Sequence, residues 1–327
     1  MVQSLSGSEQ LDLWKKDATD PSPRAASGWP ELDGLLRRQS FGPGTLAILA
    51  GRMHTRKTAV AMNLIANMLD AGCAVGLVGL DEADFMYPAK LASVVTQTSH
   101  VELDDYWRTS PAAMVVHGRA YEAATKDFHF IAPARPSLDD LADWIEAEAL
   151  TKPRMRAVFI DYLSLLERGK YDGKDSSRIP RLAEELKMWS NKHRMAVIAL
   201  HQVGRTDDSQ FKRYHGSTPI TPEQLMFGGE QQADIILSTY RPALDPEGNM
   251  SQEEALSQGI DLQDWALKND RVRAYQNDTM LQLIKNRPGV HLNHTGIRLR
   301  SVGESQKMEV VQCGTAASRP RTTSRPM

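Results

Sequence analysis

Two cysteines in 327 residues, Cys73 and Cys313, are too few and too far apart for a disulfide framework or a zinc knuckle. Both read as small buried apolar residues, the usual setting of a free thiol. No apolar run reaches the ~18 residues that a membrane span requires. Met1 to Asp20 is polar and in places acidic, without the basic-then-apolar order of a signal peptide. The cytoplasm is therefore the expected address, with no membrane partner. A dominant charge of one sign is also missing, because the formal net charge is −2. Nothing global demands a nucleic-acid partner, and any polyanion must be met by a local patch. What remains is 41% hydrophobic and 24% charged, which suits one large α/β domain with short extensions. No internal repeat is found.

The first ~27 residues separate from the rest where turn chemistry gives way to periodic pattern. Leu11, Leu13 and Trp14 predict a short amphipathic helix, and DPSPRAASG behind them reads as a linker. Two readings of this arm, residues 1–27, stay open: a frayed terminus, or a helix that docks its tryptophan and leucines on a neighbouring subunit. From Gly28 onward strand and helix patterns alternate, the order of a parallel sheet with crossover helices. Strands are expected at 46–50, 74–80, 128–131, 157–160, 196–200, 234–240, 280–284, 296–300 and 308–312. Helices are expected at 58–69, from Ser137 through Ala149 with Asp140 in capping-box position, and around 182–193.

Residues 45–60, TLAILAGRMHTRKTAV, read as an apolar strand running into a phosphate loop. In the pattern GxxxxGK[ST], backbone N–H groups cradle phosphates, the lysine reaches the β/γ oxygens and the hydroxyl ligates Mg²⁺. Gly51, Lys57 and Thr58 match, while Arg52 and His54 lie in the loop as further candidate phosphate contacts. Arg56 stands where the second glycine belongs, at a position whose backbone angle glycine adopts most cheaply. Its guanidinium is electrostatically welcome and sterically awkward there, so it is expected either to swing outward or to supplement Lys57. About a hundred residues later, RAVFIDYLSLL (156–166) is an apolar strand that releases Asp161 at its end. Such an aspartate beside a phosphate loop suits Mg²⁺ coordination, since that ion keeps several waters and takes few carboxylates directly.

In order, GWPELDGLL (28–36), the phosphate loop, GLDEAD (79–84), FIDYLSLL (159–166), IALHQVGR (198–205), EQQADIILSTYR (230–241) and IKNRPG (284–289) resemble the ATPase domain of the DnaB family of replicative helicases. The resemblance spans roughly 28–312. It implies a RecA-like P-loop NTPase fold, with a mostly parallel central sheet flanked by helices and an added antiparallel edge. It also implies ATP and Mg²⁺ as cofactors, single-stranded or forked DNA as partner, and a homo-oligomer, a hexamer, as assembly. A loader or primase partner is left open.

Carried over residue by residue, the resemblance implies that Lys57 and Thr58 hold phosphate and Mg²⁺, that Asp161 holds Mg²⁺ through water and that Gln202 senses the γ-phosphate. It also implies that Lys285 and Arg287 act in trans, Arg287 as the arginine finger. For the catalytic base two candidates stand side by side: Asp81 aligns with the family glutamate, and Glu82 has the longer reach. A simple helix-capping role for this acidic turn is the plainer alternative. Two polar loops, 168–178 and 204–229, are expected to face DNA. They offer Arg168, Lys170, Lys174, Arg178, Lys212 and Arg213 to phosphates, Tyr171, Phe211 or Tyr214 for stacking, and the backbone of Gly228 and Gly229. Leu225, Met226 and Phe227 stand where the family has an Arg-Glu pair.

The ~27 residues ahead of the core are too few for the N-terminal domain of family helicases, which suggests a stripped-down, phage-type core. Residues 242–278 read as an insertion in which Ser251 and Glu254 cap a helix, expected to project near a subunit interface. Residues 314–327 read as a disordered basic tail. Four functions compete: an ATP-driven translocase; a DNA-binding protein in which Arg56 has crippled turnover; a metal-dependent nuclease on branched DNA, using Asp81, Glu82, Asp84 and Asp161; and a recombination ATPase of the same fold.

Overall fold

Apolar runs of five or six residues, too short for helices that bury one face, become the fully buried central strands of one sheet. The computed structural model describes residues 6–134, 136–149, 155–166, 175–203, 216–225, 229–289 and 296–311. The strands are β1 (Leu46–Gly51), β2 (Val75–Gly79), β3 (Phe128–Ile131), β4 (Ala157–Asp161), β5 (Ala196–Gln202), β6 (Ile235–Tyr240), β7 (Asp278–Asn286), β8 (Gly296–Ser301) and β9 (Met308–Val310). Their order across the sheet is β3-β2-β4-β5-β1-β6-β7-β8-β9. Strands β1 to β6 pair in parallel, and β7, β8 and β9 extend the sheet as an antiparallel edge. The expected mostly parallel sheet with an antiparallel edge is thus observed.

The helices are α1 (Gly7–Ala18), α2 (Pro30–Asp33), α3 (Lys57–Asp70), α4 (Met86–Thr96), α5 (His100–Thr109), α6 (Pro111–Ala124), α7 (Leu138–Ala149), α8 (Asp175–His193), α9 (Pro246–Asn249), α10 (Gln252–Ser257) and α11 (Leu262–Ala274). One face of the sheet is covered by α3 and α4, whose Val60, Leu64, Ile65 and Leu91 meet Leu49, Leu77 and Phe159. On the other face, Leu141 of α7 and Leu182, Ala183 and Leu186 of α8 pack on Val158, Ile160 and Val197. Each such leucine or isoleucine contributes about 1.5–3 kcal/mol by leaving water. This two-sided burial fixes the central strands, and with them the loops at their ends.

Helix α1 carries the capping box of Ser6 and Glu9 and buries none of its residues, so Leu11, Leu13 and Trp14 are exposed. Behind it, Arg38 bonds the Asp17 carbonyl at 2.7 Å and pairs with its carboxylate. Ser251 and Glu254 form the expected capping box at α10. Among the described residues no helix is long and apolar enough to cross a membrane. The 314–327 tail and Cys313 lie outside the described residues.

Candidate nucleotide-binding site

In an open α/β sheet, ligands collect beyond the carboxyl ends of the strands. Here those ends bring the separate motifs together, since Gly51 is in register with Gln202 across β1 and β5, and Gly79 with Asp161 across β2 and β4. The phosphate loop leaves β1 at Gly51 and enters α3 at Lys57, so its N–H groups and the positive end of a 14-residue helix share one place. Gly51 has no alternative: a Cβ there would fall 2.5 Å from the hydroxyls of both Thr55 and Thr239. Thr55 is buried, donates to the Arg52 carbonyl at 2.8 Å and meets the Thr239 hydroxyl at 2.9 Å, which ties the loop to β6.

The Lys57 ammonium donates to the same Arg52 carbonyl at 2.9 Å. Burial lowers its pKa, opposed by the charges of Asp161 and Asp81. Thr58 donates to Asp161 Oδ2 at 2.9 Å. Burial pushes the Asp161 carboxyl up to about 6, with Thr58 pulling down and the charges of Asp81 and Glu82 adding to the rise. A hydroxyl and a carboxylate oxygen side by side at the mouth of the loop form a hard-oxygen donor set that fits Mg²⁺.

The two candidate bases separate in space. Glu82 pairs with Lys90 of α4. Asp81 is exposed and has no such ion pair among the described residues; its pKa is raised by partial burial and by Glu82, and lowered by Lys57 and Lys90. Tyr87 was not anticipated. Its hydroxyl accepts from the backbone N–H groups of Asp81 and Glu82 at 3.1 and 3.2 Å and donates to the Asp161 carbonyl at 3.4 Å, so it fastens the acidic turn to β4. Gly79 makes room for the ring, since a Cβ there would meet Tyr87 at 2.4 Å.

Arg56 adopts the left-handed region, at φ 62° and ψ 33°. Of the two expectations, the outward swing is observed: Nη1 donates to the Asn277 carbonyl at 3.2 Å and to the Ser301 hydroxyl at 2.5 Å. Arg241, at the end of β6, also went unread in the sequence. It donates to the carbonyls of His54 at 3.5 Å and Gln276 at 3.1 Å. Its pKa is lowered to about 10 by burial and by the charge of Arg56. His54 sits exposed at the loop tip, and Arg52 is half-buried.

Lys285 and Arg287 lie at the other end of the sheet. Lys285 is level with Ile236 and hence with Ile48, and donates to the carbonyl of Glu230 at 2.6 Å. Arg287 bonds Asp234, whose carboxylate accepts from the Leu46 N–H at 2.9 Å. That places Arg287 five residue steps, roughly 16 Å, back along β1 from Gly51. Neither residue faces the phosphate loop of its own chain.

Arg178 requires correction as a surface cation. It is 2% exposed, and its guanidinium donates to the carbonyls of Ser164 at 3.0 Å and Leu166 at 3.5 Å, so it is occupied inside the protein. Gly229 takes φ +81° against Ala183 of α8. The expected contacts at Arg168, Lys170, Tyr171, Lys174, Phe211, Lys212, Arg213, Tyr214 and Gly228 lie outside the described residues. The four carboxylates of the nuclease reading do not converge: among the described residues no three Asp, Glu, His or Cys side chains group to hold a metal. Glu82 is spent on Lys90, and Asp84 is exposed and bonds its own neighbour's N–H, that of Phe85.

A parallel sheet with this strand order, a phosphate loop after its central strand and an aspartate at the end of β4 define a RecA-like ATPase fold. Residues 25–291 match the DnaB-like helicase C terminal domain model, and the chain belongs to that family. The replicative DNA helicase DnaB of Helicobacter pylori strain J99 is 25% identical over 222 residues, covering 66% of this chain and 43% of that protein. A probable plasmid replicative DNA helicase of Chlamydia psittaci is 25% identical over 230 residues, covering 69% of this chain and 48% of that one. The chain thus spans about half the length of the curated relatives it matches.

Among solved structures, an ATPase domain determined on its own superimposes with a TM-score of 0.72 at 19% identity, over 95% of this chain and all (100%) of that one. A DnaB-like replicative helicase, described with its interactions with primase, gives 0.68 at 19% identity over 94% of this chain and 67% of that one. The RadB recombinase gives 0.50 at 16% identity, over 88% of this chain and 100% of that one. At these identities the structures speak for the fold.

Proposed function

We propose that the chain is an ATP-driven DNA translocase and helicase of the DnaB type, acting on single-stranded or forked DNA as a ring oligomer, a hexamer, in replication. The observation that carries this reading is the 2.9 Å bond between Thr58 of the phosphate loop and Asp161 at the end of β4. Phosphate oxygens are acceptors, like the Arg52 carbonyl that Lys57 now holds, so the ammonium exchanges one acceptor for the other when nucleotide enters. Thr58 and Asp161 would hold Mg²⁺, which supplies neutralisation of charge developing on the transferred phosphoryl group. Asp81, free of the Lys90 pair that occupies Glu82, is the better placed of the two acids to orient the attacking water and take its proton. Gln202, in register with Gly51, would report the γ-phosphate.

Lys285 and Arg287 would serve the nucleotide of an adjoining protomer, because their own phosphate loop lies at the other end of β1. DNA would be met by residues 168–174, ahead of α8, and by the 204–228 stretch, through Arg168, Lys170, Lys174, Lys212 and Arg213 and the backbone of Gly228. The exposed Leu11, Leu13 and Trp14 of α1 suit docking on a neighbouring protomer. Strand separation on a forked duplex tests the whole reading. Separation that requires both ATP and Mg²⁺ and disappears in Lys57→Ala is expected. A fork that is bound but never opened, with no nucleotide consumed, would leave a nucleotide-gated DNA-binding assembly in its place.

A further inference from the structure

Arg56 occupies a left-handed backbone position that side chains rarely adopt, at the point where the phosphate loop turns into α3. A residue held there needs surroundings that over-determine it, and they are present. The guanidinium turns away from the phosphate side and donates to Asn277 O and Ser301 Oγ, at the corner where β7 begins and β8 ends. The Asn277 carbonyl also accepts from the Ser301 N–H at 3.1 Å, so the corner is already fixed before Arg56 reaches it. Asp278, next in the chain, is gripped by Arg298 and Arg300 and places its charge near Arg56. Arg241 in turn joins His54 O of the loop to Gln276 O of the same turn. Two arginines therefore tie the phosphate loop to consecutive carbonyls at the start of the antiparallel edge.

We propose that Arg56 is a positioning residue whose side chain latches the phosphate loop to the Asn277–Ser301 corner. The latch holds in an arginine the backbone angle that glycine adopts unaided, and it keeps the guanidinium out of the phosphate cradle. Glycine would give the loop this angle along with many others; the latched arginine gives it one. Loop order gained before ligand arrives lowers the entropy lost on binding. The inference rests on the nucleotide-site reading. It makes a hydroxyl on β8, which touches no phosphate, a determinant of nucleotide affinity.

Affinity of the full chain for Mg·ADP, by titration calorimetry, tests it in the wild type, Arg56→Ala, Ser301→Ala, the double variant and Ser301→Thr. Arg56→Ala keeps the unfavourable angle and loses the latch, and is expected to bind about tenfold more weakly. Ser301→Ala is expected to lose about fivefold, and the double variant to bind no more weakly than Arg56→Ala alone. Ser301→Thr, which keeps the hydroxyl, is expected to bind like the wild type. If Ser301→Ala binds like the wild type, or if the two single losses multiply in the double variant, Arg56 acts elsewhere and the latch is overturned while the nucleotide site stands. A wild type that binds no ADP overturns the nucleotide site and the latch together. Should Arg56→Ala fail to fold, the contrast between Ser301→Ala and Ser301→Thr decides alone.

Discussion

Thr58 and Asp161, 103 positions apart in the chain, are joined by a hydrogen bond of 2.9 Å. The bond exists because β4 lies one strand beyond β5 from β1, so β4 and the phosphate loop leaving β1 bring a carboxylate and a hydroxyl together at the carboxyl ends of the strands. Asp161→Asn keeps the shape and removes the charge a divalent cation needs. Hydrolysis of ATP is expected to fall on the order of 100-fold or more, with Thr58→Val close behind. Steady-state turnover across a Mg²⁺ titration checks this, and unchanged kcat in both variants would remove the pair from the site.

Asp81 and Glu82 can be told apart by the same assay. Asp81→Asn is expected to lower kcat by roughly 10²–10⁴, the usual contribution of a general base. Glu82→Gln breaks a partly exposed pair with Lys90, so it is expected to cost no more than about 1 kcal/mol of stability and to leave kcat within a few-fold. The reverse ranking would assign the base to Glu82.

Lys285 and Arg287 stand level with Ile48 and Leu46, far from the Gly51 end of β1. Action in trans predicts complementation. Arg287→Ala and Lys57→Ala chains, each inactive alone, are expected to regain measurable hydrolysis when mixed, because the Lys57→Ala protomer lends its Arg287 to an intact phosphate loop. Mixtures as inactive as the separate chains would contradict this arrangement.

Asp278 has a side chain only 1% exposed and is held by Arg298 and Arg300. Burial alone would raise its pKa, but the hydrogen bonds and charges of Arg300 and Arg298 outweigh it and hold the carboxyl below its ordinary value. A depressed folded-state pKa gives stability that is fully present above the unfolded value, about 3.9, and is lost as pH falls through the folded one. Asp278→Asn is therefore expected to destabilise the protein by about 3 kcal/mol at pH 7. In denaturant unfolding, the gap between wild type and variant should narrow below about pH 4. A gap that persists unchanged at pH 3 would show that the charge is not what holds this corner.

Elements whose burial is written in consecutive residues were legible in the sequence. The runs LAILAG and AVFID can satisfy their apolar side chains only between two layers, and they became β1 and β4. Helices α5 and α6 gave no comparable pattern: α5 buries only Leu103 and α6 only Met114, while Val101, Trp107, Val115 and Val116 are exposed, so no regular stripe marks them. Side chains with distant partners were illegible for the same physical reason. Arg178 looks like a solvated loop cation until the carbonyls of Ser164 and Leu166 close around it. The course of Arg56 is set by Asn277 and Ser301, more than two hundred residues away. The separation of Asp81 from Glu82 depends on Lys90, one turn into α4, whose choice between the two acids no local pattern encodes.

Steady-state hydrolysis of Mg·ATP by the wild type and Lys57→Ala, with and without single-stranded DNA, sets all these parts in motion at once. The expected result is turnover that rises when DNA is added and vanishes in the variant. Equal turnover in the two proteins, or none in a wild type that still binds ADP, would contradict the assignment of this loop as the engine of a DNA motor.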